Sequence, residues 1–140
     1  MKKLFALILL LVSAASVNEL FAQDVNMSVD AVKGLLCRKW DLSYGIVSGE
    51  RIGPNPSAPT MSFDFKADGS VVIGFNGQNN HLQGTWAYDA ANKWIKVIVN
   101  KQKRLTISSL KQDELVMLSD MKDITPNDPT DKLVYKPAAN

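Results

Sequence analysis

The chain of 140 residues contains one histidine and one cysteine, and this limits the chemistry of its side chains. A Ser-His-Asp triad would have to use His81, yet no Gly-x-Ser-x-Gly nucleophile motif is present. A tetrahedral zinc site needs more ligands than His81 and Cys37 supply. We therefore expect no enzyme, no catalytic residue and no cofactor, and we interpret His81 as a surface residue and Cys37 as a small buried hydrophobe.

Acidic side chains crowd one segment near the C-terminus, and their oxygen atoms are the kind of ligand that Ca²⁺ prefers. The oxygen-bearing residues are Asp120, Asp123, Asn127, Asp128 and Asp131. Their spacing lacks the Asp-x-Asp-x-Asp-Gly rhythm that wraps one ion, and lysines lie among them. A solvated loop is the preferred interpretation, and no metal is expected.

Aromatic residues are the strongest candidates for a binding function. Nine of them lie on strand-like segments, and six of these are the candidate ligand-binding residues: Trp40, Tyr44, Phe63, Phe65, Trp86 and Tyr88. Facing inward in a small barrel, they would either fill the core or line a cup for a small apolar or amphipathic ligand. The sequence leaves both alternatives open.

The elements that position these residues are eight short segments with strand-like alternation, most of them joined by turns. The predicted strands are Arg38–Ser48, Met61–Phe65, Val71–Phe75, His81–Tyr88, Trp94–Val99, Arg104–Leu110, Glu114–Ser119 and Lys132–Lys136. In the first strand, simple alternation places Trp40, Leu42, Tyr44 and Ile46 on one face. Asp68-Gly69 is a typical hairpin turn between the second and third strands.

A row of antiparallel strands must close or leave unpaired edges, so the simplest fold is all-β. We predict an eight-stranded up-and-down antiparallel barrel with a short N-terminal helix, Val29–Leu36, capped by Ser28. A two-sheet sandwich with Greek-key crossings is the alternative. The Pro-rich connection Gly49–Thr60 is predicted to be irregular and is a candidate lid or rim.

Several short motifs resemble small bacterial lipocalin-like proteins over residues 29–136. They are Leu36-Cys37-Arg38-Lys39-Trp40, Phe63 to Gly69, Gly84 to Asp89 and the tail Lys132 to Lys136. The resemblance implies an exported lipocalin-like barrel in which the first tryptophan closes one end. Arg38 stands where the family has its signature glycine, so the barrel is the part of the likeness that carries over.

The N-terminus has the layout of a secretory signal peptide. Lys2 and Lys3 precede the apolar run Leu4–Val12, which is too short to span a bilayer, and cleavage is predicted after Ala22 or near Ala15. Residues 1–22 are then the signal peptide and 23–140 a single domain. Losing two lysines and one glutamate lowers the formal net charge from +2 to +1. We expect a periplasmic or secreted protein without nucleic-acid partners or stable membrane insertion.

Two functions remain from the sequence. The first is a non-enzymatic barrel that binds a small apolar or amphipathic ligand. The second is a filled barrel that contacts a protein partner of the cell envelope or inhibits a protease. An internal cavity open at one end favours the first function, whereas a packed interior with an apolar outer patch favours the second.

Overall fold

The computed structural model describes residues 25–53, 60–75, 78–119 and 132–139. Its helix, α1 (Val29–Leu36), has the predicted bounds. The Ser28 side chain accepts a hydrogen bond of 3.2 Å from the Ala31 backbone N–H, which satisfies a donor that the first helical turn leaves free. The helix buries Val32 and Leu36. The predicted signal peptide lies outside the described residues.

The strands form one antiparallel sheet in which, apart from the short second strand, each strand pairs with the next along the chain. Their bounds are β1 (Lys39–Val47), β2 (Glu50–Ile52), β3 (Met61–Phe65), β4 (Ser70–Phe75), β5 (His81–Asp89), β6 (Trp94–Val99), β7 (Lys103–Leu110), β8 (Leu115–Ser119) and β9 (Lys132–Pro137). Because β9 also pairs with β1, the sheet closes. The prediction of an eight-stranded up-and-down barrel behind a short helix is confirmed, with β2 as an addition to the eight barrel strands.

Strand β2 lies inside the connection that was predicted to be irregular. It pairs with the last part of β1, from Gly45 to Val47, whereas β3 pairs with the first part, from Lys39 to Asp41. One edge of β1 is therefore shared by two strands in succession. The connection returns to the barrel at Met61, and residues 54–59 of the candidate lid lie outside the described part.

A bulge in β1 changes the face on which its second half presents side chains. Leu42 pairs with Tyr135 and Tyr44 with Val134, so Ser43 is an extra residue opposite the β9 register. One extra residue reverses the alternation. Tyr44 therefore points outward, where the Arg51 guanidinium lies 3.8 Å from the centre of its ring. The predicted common face for Trp40, Leu42, Tyr44 and Ile46 is wrong beyond the bulge.

The turn before β4 uses the conformations that its residues favour. Gly69 has a φ of +89° in the turn before β4, and the Asp68 carboxylate accepts hydrogen bonds from the Ser70 hydroxyl (2.6 Å) and backbone N–H (2.9 Å). These two hydrogen bonds lower the pKa of Asp68, and the bond from the Ser70 hydroxyl has the larger effect. This is the Asp-Gly turn that the sequence predicted.

No helix in the described part of the chain is both long enough and apolar enough to cross a membrane.

The close packing of β5 against β6 gives a first prediction about stability. A Cβ atom on Gly84 would lie 2.5 Å from the Ile98 carbonyl oxygen and 3.1 Å from Val71 Cγ1. We expect Gly84→Ala to lower the free energy of unfolding by about 1–3 kcal/mol in urea denaturation, because the backbone must shift.

Gly34→Ala is the matched control for this substitution. Apart from the backbone of α1 and the adjacent residues, no described atom lies within 4 Å of the position that its Cβ would take, so alanine should raise the stability by about 0.5–1 kcal/mol through its higher helix propensity. Equal effects of the two substitutions would contradict the packing described for Gly84.

Candidate functional site: the barrel interior

The two tryptophans that the sequence singled out both close one end of the barrel. Trp40 is fully buried, and its indole N–H donates a 3.0 Å hydrogen bond to the Leu36 carbonyl at the end of α1. The Trp86 indole N–H donates to the Lys66 carbonyl at 2.8 Å. The Arg38 guanidinium lies 5.5 Å from the centre of the Trp40 ring. The indole N–H groups of Trp40 and Trp86 therefore both hold backbone segments in place.

The N-terminal segment before α1 is fastened to the same end by Tyr88. Its hydroxyl lies 2.9 Å from the Val25 carbonyl oxygen and 2.8 Å from that of Met27. Val25 is itself buried, and its backbone N–H donates to the Lys93 carbonyl. We call this end, covered by residues 25–37, the closed end.

Aromatic rings fill the barrel beside the closed end. Phe63 and Phe65 are 1% exposed, and their ring centres are 5.9 Å apart with nearly parallel planes. Tyr135 from β9 meets Phe63 edge-on at 5.3 Å. Edge-on and offset contacts of this kind favour a defined arrangement of rings. In this half of the barrel the aromatic set is a packed core.

At the opposite end four inward-facing apolar side chains are only partly buried, whereas Val99 and Leu105 at the same end are buried. The four partly buried side chains lie at or next to the strand ends farthest from α1 and pack against the core. They are Met61, Phe75, Leu82 and Leu133. We call these four residues the rim layer. Apolar side chains that keep contact with solvent at one end of a barrel form a surface on which a small apolar molecule can be buried.

One polar atom in the interior has no partner. The hydroxyl oxygen of Tyr135 is buried and forms no hydrogen bond, although the residue is fully enclosed. Burial raises the pKa of this phenol because it disfavours the phenolate. The Oγ atom of Ser108, the extra residue in a β7 bulge, and the Oδ1 atom of Asp41 are also buried without partners. Of the three, only Tyr135 belongs to the central core cluster.

The structure brings together five of the six sequence-predicted residues, and it places them near the closed end rather than at the rim. Trp40, Phe63, Phe65, Trp86 and Tyr88 all face inward. Tyr44 does not join them, because the bulge at Ser43 directs it outward.

The candidate site residues chosen from the sequence did not include the rim layer or Tyr135, although Phe75 and Tyr135 belong to the aromatic residues of the predicted strands. Every rim residue is on a strand that was predicted, and the alternation in Leu133-Val134-Tyr135 marks Leu133 and Tyr135 as facing the same way. That signal could have identified them as inward-facing. Which end of the barrel the helix covers depends on long-range packing, and no local pattern encodes it.

The other chemical candidates lie away from the interior. His81 is exposed at the first residue of β5, as predicted. Cys37 is half-buried against the core, and burial raises the pKa of its thiol. Within the described ranges no three metal-binding side chains cluster, and the acidic segment from Asp120 to Asp131 lies outside those ranges.

The outer wall of the barrel carries a shallow depression beside exposed apolar side chains. The depression has a volume of about 450 Å³ and is lined by Gln83, Gly84, Thr85, Ile98, Asn100 and Lys101. Trp94 and Ile98 share this outer face of β6 and are each 38% exposed. The apolar side chains of the wall are therefore not all enclosed in the core.

Comparison of the chain with protein-family models, with curated proteins and with solved structures found no match. The described architecture, an eight-stranded closed antiparallel barrel behind a short helix, is compatible with a lipocalin-like fold.

Two tyrosines on the inner face provide a matched prediction. Tyr88→Phe should lower the free energy of unfolding by about 1–3 kcal/mol, because it leaves the Val25 and Met27 carbonyls without their donor. Tyr135→Phe should leave the stability of the empty protein unchanged or raise it by about 1 kcal/mol, since it removes a buried hydroxyl without a partner. Urea denaturation measures both. A loss for Tyr135→Phe as large as that for Tyr88→Phe would contradict this assignment.

The raised pKa of Tyr135 predicts a loss of stability in alkali. The unfolded chain releases the phenol proton near pH 10, whereas the folded protein holds it to higher pH. The free energy of unfolding should therefore fall as the pH rises above about 10, by up to about 1.4 kcal/mol per pH unit from this residue.

Urea denaturation between about pH 8 and about pH 11.5 tests the alkaline effect. Tyr135→Phe lacks the titrating phenol, so its stability should decline less steeply than that of the wild-type protein. Parallel declines in the two proteins would show that Tyr135 does not contribute.

Proposed function

We propose that this chain is an exported, non-enzymatic, lipocalin-like barrel of bacterial type that binds a small hydrophobic or amphipathic molecule at its rim layer. The contrast between the two ends of the barrel is the observation that supports this proposal. At the closed end, residues 25–37 cover a core whose tryptophan and Tyr88 polar atoms have backbone partners. At the other end, the apolar rim layer keeps partial exposure.

The size of the barrel is consistent with one small ligand. An interior enclosed by eight strands is wide enough for side chains or for one small molecule. Aromatic rings occupy the part of this interior next to the closed end. A ligand would therefore be held in the part next to the rim layer. There it would cover Leu133, Phe75 and their neighbours and remove their apolar surface from water.

Export is part of the same proposal and depends on the N-terminal sequence. Lys2, Lys3 and the short apolar run Leu4–Val12 support a cleaved signal peptide, with a periplasmic or secreted destination for the barrel. A bacterial envelope is the setting that also suits the lipocalin-like motifs. Mass measurement of the protein recovered from the envelope tests this point, with a mature chain that begins near Gln23 as the expected result.

A second candidate function is a protein-interaction or inhibitor module. Two observations favour it by the criterion set out from the sequence: the aromatic core beside the closed end is packed, and Trp94 and Ile98 are exposed on the outer face of β6. Large apolar side chains at the surface are typical of contact sites. The occupant would be an envelope protein that presents an apolar patch. In this alternative the interior would be empty of ligand and the outer wall would carry the function.

Native mass spectrometry of the protein purified from its own envelope tests ligand binding directly. We expect a reproducible additional mass of one small molecule, released when the protein unfolds. A consistently empty barrel that also fails to bind added apolar probes would contradict the proposal.

Two polar substitutions locate the binding surface. Leu133→Gln in the rim layer should weaken the binding of an apolar fluorescent probe by about tenfold, because it places an amide in the apolar contact. Ile98→Gln on the outer face is the matched control and should leave probe binding unchanged. If Ile98→Gln alone impairs binding to an envelope protein, the second candidate is favoured.

A further inference from the structure

Tyr135 carries a hydrogen-bond donor that the folded protein does not use. The residue is fully buried in the core cluster, and its hydroxyl has no hydrogen-bond partner among the described residues. The polar atoms of the other inward-facing ring systems are all matched: the Trp40 and Trp86 indoles and the Tyr88 hydroxyl bond to backbone carbonyls. An unmatched buried donor is costly and rare in native proteins, so its retention here calls for a partner.

A water molecule is a poor partner at this place. A buried water typically forms about three hydrogen bonds to polar groups around it. The residues next to Tyr135 are apolar: Leu42 and Leu115 are its cross-strand neighbours, and Phe63 packs edge-on against its ring. The side chains placed beside the Tyr135 ring therefore offer a water no polar group. The missing acceptor is better supplied by a molecule that is otherwise apolar.

We propose that the ligand is a neutral, largely apolar molecule with one acceptor oxygen, as in a ketone, aldehyde, ester or ether, and that this oxygen accepts a hydrogen bond from the Tyr135 hydroxyl. The proposal rests on the proposed ligand-binding function and specifies its chemical class. Lys103, opposite Val99 at the exposed first residue of β7, is the one lysine or arginine in the inner register of the described strands, whereas the positions paired with Tyr135 are apolar. A free carboxylate at the Tyr135 hydroxyl would therefore lie in apolar surroundings without an adjacent counter-charge, which is strongly unfavourable.

The rim layer provides the route by which such a molecule reaches Tyr135. Leu133 belongs to that layer and lies two residues before Tyr135 on β9. Met117 of β8 pairs with Leu133. Leu133 Cδ2 fills the space beside Gly45, 3.5 Å from the position that a Cβ atom would take there. Binding requires Leu133 and Met117 to change rotamers, and the unbranched Met117 side chain adapts readily to a new neighbour.

Three probes of equal carbon number test the class of ligand: methyl octyl ketone, n-decane and decanoate. Each displaces an apolar fluorescent probe from the wild-type protein and from Tyr135→Phe. We expect the wild-type protein to prefer the ketone to the alkane by about tenfold, which corresponds to about 1.4 kcal/mol and is the scale of one hydrogen bond. Tyr135→Phe should lose that preference and bind n-decane as the wild-type protein does. Decanoate should be the weakest of the three at neutral pH.

A second measurement separates a direct contact from an effect on packing. With ¹³C-labelled tyrosine, the Cζ resonance that disappears in Tyr135→Phe should shift on addition of the ketone and stay in place on addition of the alkane. Tyr44→Phe on the outer wall is the matched control and should leave all three affinities unchanged.

The outcomes distinguish failure of this inference from failure of the proposed function. If the wild-type protein binds ketone and alkane equally, or if Tyr135→Phe keeps the preference, the acceptor contact is wrong while ligand binding stands. Tighter binding of decanoate than of the ketone overturns the neutral class. If no probe binds the wild-type protein, the proposed function fails and this inference fails with it.

Discussion

The hydrogen bonds between β1 and β9 join the two ends of the sheet, and the rest of the structure depends on this closure. An open row of antiparallel strands leaves backbone donors and acceptors unpaired along two edges. Here β9 pairs with β1 along most of its length, while β3 and β2 in turn occupy the other edge of β1. Closure gives each strand an inner and an outer face, and this difference makes an apolar interior possible.

The interior that results is asymmetric along its axis. Residues 25–37 cover one end, where the Trp40 indole N–H donates to the Leu36 carbonyl and the single Tyr88 hydroxyl hydrogen is shared between the Val25 and Met27 carbonyls. These hydrogen bonds let large aromatic side chains be buried without leaving polar atoms unmatched. At the other end the four apolar side chains of the rim layer keep some exposure. One part of the same barrel is thus a core, and the other is available for binding.

Tyr135 lies in the middle of this interior, between the packed rings and the rim layer. Its ring contributes to the core through Phe63, whereas its hydroxyl contributes nothing to the empty fold. Tyr135 thus combines a packing role for its ring with the proposed ligand-binding role for its hydroxyl. The same reasoning separates it from Tyr88, whose hydroxyl has two structural partners.

Local sequence determined most of the secondary structure of this protein. The alternation in Met61–Phe65, the Asp68-Gly69 turn and the cap at Ser28 each depend on neighbouring residues alone, so the strands, turns and helix could be predicted together with the closed barrel. The tertiary structure decided what each aromatic residue does. The bulge at Ser43, which reverses Tyr44, is defined only against the register of β9. The helix selects one end of the barrel through contacts between residues distant in sequence, and no periodicity within a strand records that choice.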